Sequence, residues 1–300
     1  MIKINNVKGI ENYNALYYLG FSHFLGIGPY RFNTLIDKFK NVKNAYCANK
    51  HDLEKVISAN LADKFIMFRN RFDLFKKYKD ILKKDIKIIT REDISYPKQL
   101  LNISDAPICL YVKGNIKSYD FEKDIFLSIV GTRGPTEYGI KVAKRLSLDL
   151  SKAGITIISG MAIGIDACIH HGVLNSKGKT IAVLGCGVDV IYPLENRDLY
   201  FRILNENGII VSEFPPGITV KKGMFIARNR IISGMSNGVL IIEGTKRSGT
   251  LITARYALLQ GREVFAVPCP ITHVQSEAPN ILLKQGAKLV SCYQDILEEF

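Results

Sequence analysis

From about residue 124 the chain alternates short apolar runs with helical stretches, a pattern few folds accept. The runs are "IFLSIVG", "GITIISG", "KTIAVLG", "GIIVSE", "GVLIIEG" and "REVFAVP", with "AKLV" as a candidate seventh. Helices are expected to begin near Glu137, Gly164, Glu195, Ile226 and Thr250. Strands that are apolar along their whole length must be covered on both faces. Alternation with helices makes them parallel. The expected fold class is α/β, a Rossmann-like, doubly wound, mostly parallel sheet. Such sheets bind ligands beyond the carboxyl ends of their strands.

The earlier part of the chain has another rhythm. "YNALYYLGFSHF", "PYRFNTLIDKF", "HDLEKVISA" and "ADKFIMFRNRFDLFKKYKDILKK" repeat apolar residues at three-to-four spacing, which predicts helices. In "FLGIGPYRF", Gly26 and Gly28 predict a tight turn, and Pro29 suits a first helical position. Such a turn can offer amides to a phosphate, but a plain turn between helices is the simpler reading. Three segments result: a small all-α region over residues 1–85, a connector over 86–123 that packs on the sheet, and the α/β unit over 124–300. Two X-Pro steps, Tyr96-Pro97 and Ala106-Pro107, punctuate the connector.

Composition bounds the function. Hydrophobic residues make up 47% of the 300, enough for a packed core. No stretch reaches the roughly 18 consecutive apolar residues of a membrane span, so no membrane partner is expected. The opening "MIKINNVKGIENYN" lacks the apolar core of a signal peptide. The six cysteines are scattered, with no pair at metal-clamp spacing, which predicts reduced thiols in a cytoplasmic protein and no metal site. Lys and Arg number 41 against 28 Asp and Glu, a net charge of +13. That excess suits a polyanionic partner, although an AT-rich genome that favours lysine codons would also produce it.

The loops at the strand ends sharpen this. They read "GTRGPTEYG", "SGMAIGID", "GCGVDVIYPLENRDLY", "SEFPPGITVKKGMFIARNR" and "EGTKRSGT". Nearly all carry Gly, Ser or Thr, and Arg133, Lys221, Lys222, Lys246 and Arg247 lie among them. Backbone amides at a helix start, with the helix dipole behind them, form an anion site. Several at one sheet edge suit a ligand with several phosphates.

A dinucleotide cofactor fits poorly. It needs G-x-G-x-x-G after the first strand and an acidic residue at the end of the second. The first loop instead reads Gly131-Thr132-Arg133-Gly134, and the second strand ends in Ser159-Gly160. A Walker lysine motif is absent too, so no cofactor is expected. A hydrolase would need a nucleophile, a base and an orienting group, and no convincing set is found. Asp166 reads as a residue that caps or orients a loop, four before His170 on one helix face. His170 and His171, as neighbours, point about 100° apart and make a poor metal site. "EGTKRSGT" is superficially similar to the P-G-G-x-G-T-x-x-E loop of nucleotide phosphoribohydrolases. Here Gly249-Thr250 is followed by Leu251-Ile252-Thr253, without the catalytic glutamate. A nucleotide-handling enzyme stays open as the alternative function, and no catalytic residue is assigned.

Six segments together, "SIVGTRGPTEYG", "SGMAIGIDACIHHGVL", "TIAVLGCGVDVIYP", "FIARNRIISGMS", "SGTLITARYAL" and "GREVFAVP", resemble the DNA-processing protein A family (DprA, also called Smf) in order and spacing. The resemblance covers roughly residues 86–297 and is weaker before them. It implies an extended Rossmann fold after a small sterile-alpha-motif-like domain. It implies sequence-independent binding of single-stranded DNA in a basic pocket, protection of incoming DNA, loading of the RecA recombinase in natural transformation, a homodimer, and no catalytic step. By motif position it implies Arg133 as the pocket arginine, Lys222 as the pocket lysine and Phe225 as the aromatic that meets a base. Ser159, Gly160 and Gly164 would supply hydroxyl and backbone contacts, so that "SGMAIGID" cradles phosphates. The remaining DNA-binding positions are Gly223, Arg228, Asn229, Ser248, Gly249 and Thr250. Arg228 has a second reading, as the structural partner of a buried carboxylate such as Glu213 or Glu243. Three departures from the family pattern stand out: Ile226 replaces a proline, Cys269 a glycine, and the glycine before Asn280 is missing. A C-terminal winged helix, common in the family, is not expected within a chain that stops at Phe300.

Overall fold

The computed structural model describes residues 13–300. The opening segment read for a signal peptide lies largely outside them. Six helices come first: α1 (Asn14–His23), α2 (Pro29–Phe39), α3 (Val42–Cys47), α4 (Lys50–Glu54), α5 (Ala59–Arg71) and α6 (Leu74–Leu82). Pro29 opens α2 after the Gly26–Gly28 turn, as expected. The segment 62–84, which reads as one helix, is two. Asp73 interrupts it, because its side chain accepts from the Lys76 amide at 2.9 Å and so caps a new helix. Helix α3 was missed in the sequence. It is only six residues long, too short for a periodicity to register, and Asn41 caps it.

The sheet has nine strands: β1 (Lys87–Thr90), β2 (Cys109–Gly114), β3 (Phe126–Val130), β4 (Thr156–Ser159), β5 (Thr180–Val183), β6 (Gly208–Ser212), β7 (Gly238–Ile241), β8 (Glu263–Ala266) and β9 (Lys288–Leu289). Their spatial order is β1-β2-β6-β5-β4-β3-β7-β8-β9. From β6 to β9 every pairing is parallel. Strands β1 and β2 add antiparallel pairings at one edge, so the connector extends the sheet and does not merely pack on it. After the short connector helix α7 (Lys98–Leu101), the crossing helices include α8 (Glu137–Lys152), α9 (Ile165–Asn175), α10 (Arg197–Asn205), α11 (Lys222–Gly234) and α12 (Gly249–Leu259). Helix α11 starts four residues earlier than the expected Ile226, because Lys221 already has the extended backbone of a cap.

Both sheet faces are covered, as the uninterrupted apolar strands demand. One core joins β3, β4 and β7 to α8 and α9 through Leu127, Ile157, Leu146 and Ile169. The opposite core joins the sheet to α11 and α12 through Val130, Ile181, Ile231 and Ala254. The N-terminal helices are not a separate bead. Leu16, Phe21 and Phe65 share a third core with Tyr111 of β2, Ile210 of β6 and Leu199 of α10. From β3 the chain winds one way through β4, β5 and β6, then returns to β7 on the other side of β3. The switch point therefore lies between β3 and β7, where this architecture opens a crevice.

Candidate nucleic-acid interface

A cavity of about 730 Å³ opens at that switch point. Its wall takes Gly131, Thr132 and Arg133 from the loop after β3, and Thr245 and Ser248 from the loop after β7. Lys222, Phe225, Arg228 and Asn229 come from α11, and Gly249, Thr250 and Thr253 from α12. The first turns of α9, α11 and α12 all border it, through Asp166, Lys222 and Thr250. Three helix starts give three sets of free amides with positive dipole ends. At the start of α12, Ser248 caps the helix, its hydroxyl accepting from the Thr250 amide at 3.2 Å. The Thr250 hydroxyl beside it is buried and has no partner among the described residues.

Arg133 and Lys222 are exposed and stand on the same cavity, one after β3 and one after β6. The Arg133 guanidinium carbon lies 5.5 Å from the centre of the Phe225 ring. That ring backs onto Gly185, where a β-carbon would stand 3.1 Å from it. A second aromatic, Tyr192, meets Phe225 with ring centroids 5.5 Å apart and planes at 39°. Tyr192 was not singled out in the sequence. Its signal was there, as the only aromatic in the loop "GCGVDVIYP" between β5 and Pro193, but nothing in a lone tyrosine marks it as a wall residue.

Arg228 lines the floor, and its partner differs from both carboxylates suggested for it. Its guanidinium donates to the Gly160 carbonyl at 2.7 Å and to the Val183 carbonyl. Glu213 instead pairs with Arg230. Glu243 accepts from the Thr136 amide at 3.0 Å and the Thr136 hydroxyl at 2.5 Å, holding the cap of α8. The carboxylate that faces Arg228 is Asp166. Burial pushes the Asp166 carboxyl up, against the opposing pull of Arg228 and of the Gly160 and Ala162 amides. Asp166 thus orients the loop, as its position suggested.

Two further expectations need correcting. Ser159 is fully buried, and its hydroxyl donates to the Ile129 carbonyl at 2.7 Å. The Gly160 amide donates to Asp166 at 3.1 Å and its carbonyl accepts from Arg228. Neither the Ser159 hydroxyl nor the Gly160 amide is left to donate to a phosphate. "SGMAIGID" therefore braces the site more than it cradles a ligand. Gly164, at φ 90°, lets the Ile165 amide reach the Thr132 carbonyl at 3.1 Å, and a side chain there would strike the Arg133 backbone. The loop after β3 is held against the start of α9 in this way, and Arg133 rides on it. Lys246 also departs from the expected cluster. Its ammonium turns to Glu277 at 3.7 Å, whose carboxylate also accepts the Lys246 amide. Asn229 stays at the site, donating to the Gly249 carbonyl at 3.4 Å, whereas Gly223 is exposed beside Lys222 and does not line the cavity. Ile226 is 47% exposed on the rim as the fifth residue of α11, where its amide can join the helical ladder and a proline could not.

A doubly wound, mostly parallel sheet with a basic, aromatic cavity at its switch point places the chain in the Rossmann-like class. Residues 87–300 match the family model described as DNA recombination-mediator protein A. The chain belongs to that family. It is 37% identical to protein Smf of Synechocystis over 96% of this chain and 73% of the relative. It is 43% identical to protein Smf of Escherichia coli, over 70% of this chain and 56% of the relative. Among solved structures, DNA processing protein A of Streptococcus pneumoniae superposes with a TM-score of 0.83 at 33% identity, over 97% of this chain and 99% of that one. DNA processing protein A of Helicobacter pylori, described for its single-stranded DNA binding mode, superposes with a TM-score of 0.63 at 31% identity, over 71% of this chain and 95% of that one.

Proposed function

We propose that this chain binds single-stranded DNA without sequence preference in the cavity between β3 and β7. It would act there as a recombination mediator, protecting the strand and loading the RecA recombinase on it, as a homodimer. One observation carries the reading. Arg133 and Lys222 line one cavity, with the Phe225 ring under Arg133 and the starts of three helices around it. Cations and amides suit phosphates, and an aromatic wall suits unpaired bases. The relative from Helicobacter pylori, described as binding single-stranded DNA, supports the same ligand. The mediator role and the RecA partner rest on membership of the family.

A nucleotide hydrolase on this fold has less support. Its carboxylate candidates, Asp166 and Glu243, are buried and bonded to backbone amides. The discriminating experiment is competition of a labelled single strand by unlabelled single strand and by duplex of equal length. Single strands of mixed sequence should compete alike and duplex poorly, because paired bases cannot reach Phe225. Equal competition by duplex would overturn the pocket model in favour of a generic basic surface.

A further inference from the structure

The net charge is concentrated outside the cavity. Between Lys64 and Lys84 the chain carries eight Lys and Arg against two Asp. That stretch is α5 and α6, which the proposed site does not use. Arg69 is structural, its guanidinium donating to the Tyr46 and Ala48 carbonyls at 2.6 and 2.8 Å. Lys83 faces Asp80 at 3.6 Å. Lys64, Arg71, Lys76, Lys77 and Lys79 make no ion pair among the described residues. The neighbouring Asp63 is taken by Lys50 at 2.6 Å, so it does not neutralise Lys64.

These cations flank an apolar groove. A shallow depression of about 400 Å³ is lined by Lys64, Met67, Phe68, Arg71 and Phe72. Lys64, Met67 or Phe68, and Arg71 recur at three-to-four spacing, so they form one stripe on α5. Met67 is 56% exposed. The Phe68 and Phe72 rings stack at 4.8 Å with planes at 26°, and both are part-buried and line the groove. No carboxylate lines it. Basic side chains beside aromatic faces are what single-stranded nucleic acid favours.

The groove also connects to the cavity. Lys84, just past α6, pairs with Asp189 at 2.8 Å. Asp189 sits in the loop after β5 that carries Tyr192, and it also accepts the Gly217 amide at 2.7 Å from the loop after β6. The far end of α6 is thus pinned to the carboxyl edge of the sheet. Its nine residues, about 14 Å of helix, lead from that edge toward the groove.

We infer that α5 and α6 form a second single-strand site, which takes the DNA that runs on from the cavity. This rests on the single-strand reading of the cavity. Phosphates would lie along Lys76, Lys77 and Lys79, and a base would enter between Lys64 and Arg71 against Phe68.

The test compares the full chain with K64E/R71E and, separately, K76E/K79E, by fluorescence anisotropy across a salt series. Two oligothymidylates serve as probes, one of about 6 nucleotides that fills a single site and one of about 30 that can reach both. Each variant should bind the long strand at least tenfold more weakly. The log–log salt slope should fall by about 1.4, at roughly 0.7 per lost phosphate contact. Binding of the short strand should stay within twofold. All four side chains are exposed, so both variants should fold. An unchanged affinity for the long strand overturns the inference, as does an equal loss for both lengths. R133A/K222A serves as the separate control. If it keeps full binding of the short strand, the cavity reading fails, whatever the α5–α6 variants do.

Discussion

Asp166 and Arg228 hold opposite ends of one residue. The Asp166 carboxylate takes the Gly160 amide at 3.1 Å, while the Arg228 guanidinium gives a hydrogen bond to the Gly160 carbonyl at 2.7 Å. Both charges are buried, at 5% exposure each. Removing one leaves the other without its partner in a low dielectric, which costs about 3–5 kcal/mol. Arg228→Ala should therefore lower the melting temperature sharply, and Gly160→Ala should do the same, because a methyl there would overlap the guanidinium. Thermal melts check this. Arg228→Ala melting like wild type, with weaker DNA binding, would make Arg228 a ligand contact.

Arg133 and Lys222 should behave in the opposite way. Both are exposed on the cavity and hold no buried carboxylate. Each charge-assisted contact contributes about 1.5–3 kcal/mol, so each alanine should weaken single-strand binding roughly tenfold or more. Each should also flatten the salt slope by about 0.7. Melting should be unchanged, since exposed substitutions stay within about 0.5 kcal/mol. Anisotropy beside melts of the same variants separates the two outcomes. A large loss of stability would make these residues structural.

The contrast between these pairs shows what a sequence can reveal. The parallel sheet was legible because strands buried on both faces must be apolar throughout, and the strands β3 to β8 read that way. Strand ends then place Arg133 and Lys222 at the carboxyl edge of the sheet without further information. Direction of a side chain is another matter. Ser159 and Arg228 carry the right atoms for a phosphate, yet both turn inward, because the Ile129, Gly160 and Val183 carbonyls need donors. Those demands come from chain segments 30–68 residues away, which local pattern does not encode. Tyr192 is the converse case, drawn into the wall by its contact with a ring 33 positions on.

Tyr192 and Phe225 should both contribute to binding, through bases and not phosphates. Their rings meet at 5.5 Å, and Arg133 covers Phe225. Stacking contributes about 1–3 kcal/mol per base. Phe225→Ala and Tyr192→Ala should each weaken single-strand binding about fivefold to a hundredfold with no change in salt slope. Tyr192→Phe should bind like wild type. A loss in the phenylalanine variant would assign the contribution to the hydroxyl. A flattened slope in either alanine variant would mean that the ring acts by placing Arg133.

Two histidines, His170 buried and His23 half-buried, set a limit on acid stability. Burial lowers the pKa of His23 to about 4 and that of His170 to about 3, from an ordinary value of 6.5. His170 meets the Thr180 hydroxyl at 2.7 Å, and its other ring nitrogen is buried without a partner among the described residues. In the unfolded chain both rings take up protons as pH falls below 6.5. In the folded chain they stay neutral until about pH 4 and pH 3. The unfolded state then binds more protons, so stability is fully present above pH 6.5 and falls steadily toward those lower values. Between pH 7 and pH 5 each histidine should cost about 2 kcal/mol. Denaturant unfolding at several pH values measures the slope. His23→Gln and His170→Gln remove one titrating group each, so each should make the stability curve shallower over that range, whatever its stability at pH 7. A curve as steep as wild type in both variants would show that other groups drive the acid transition.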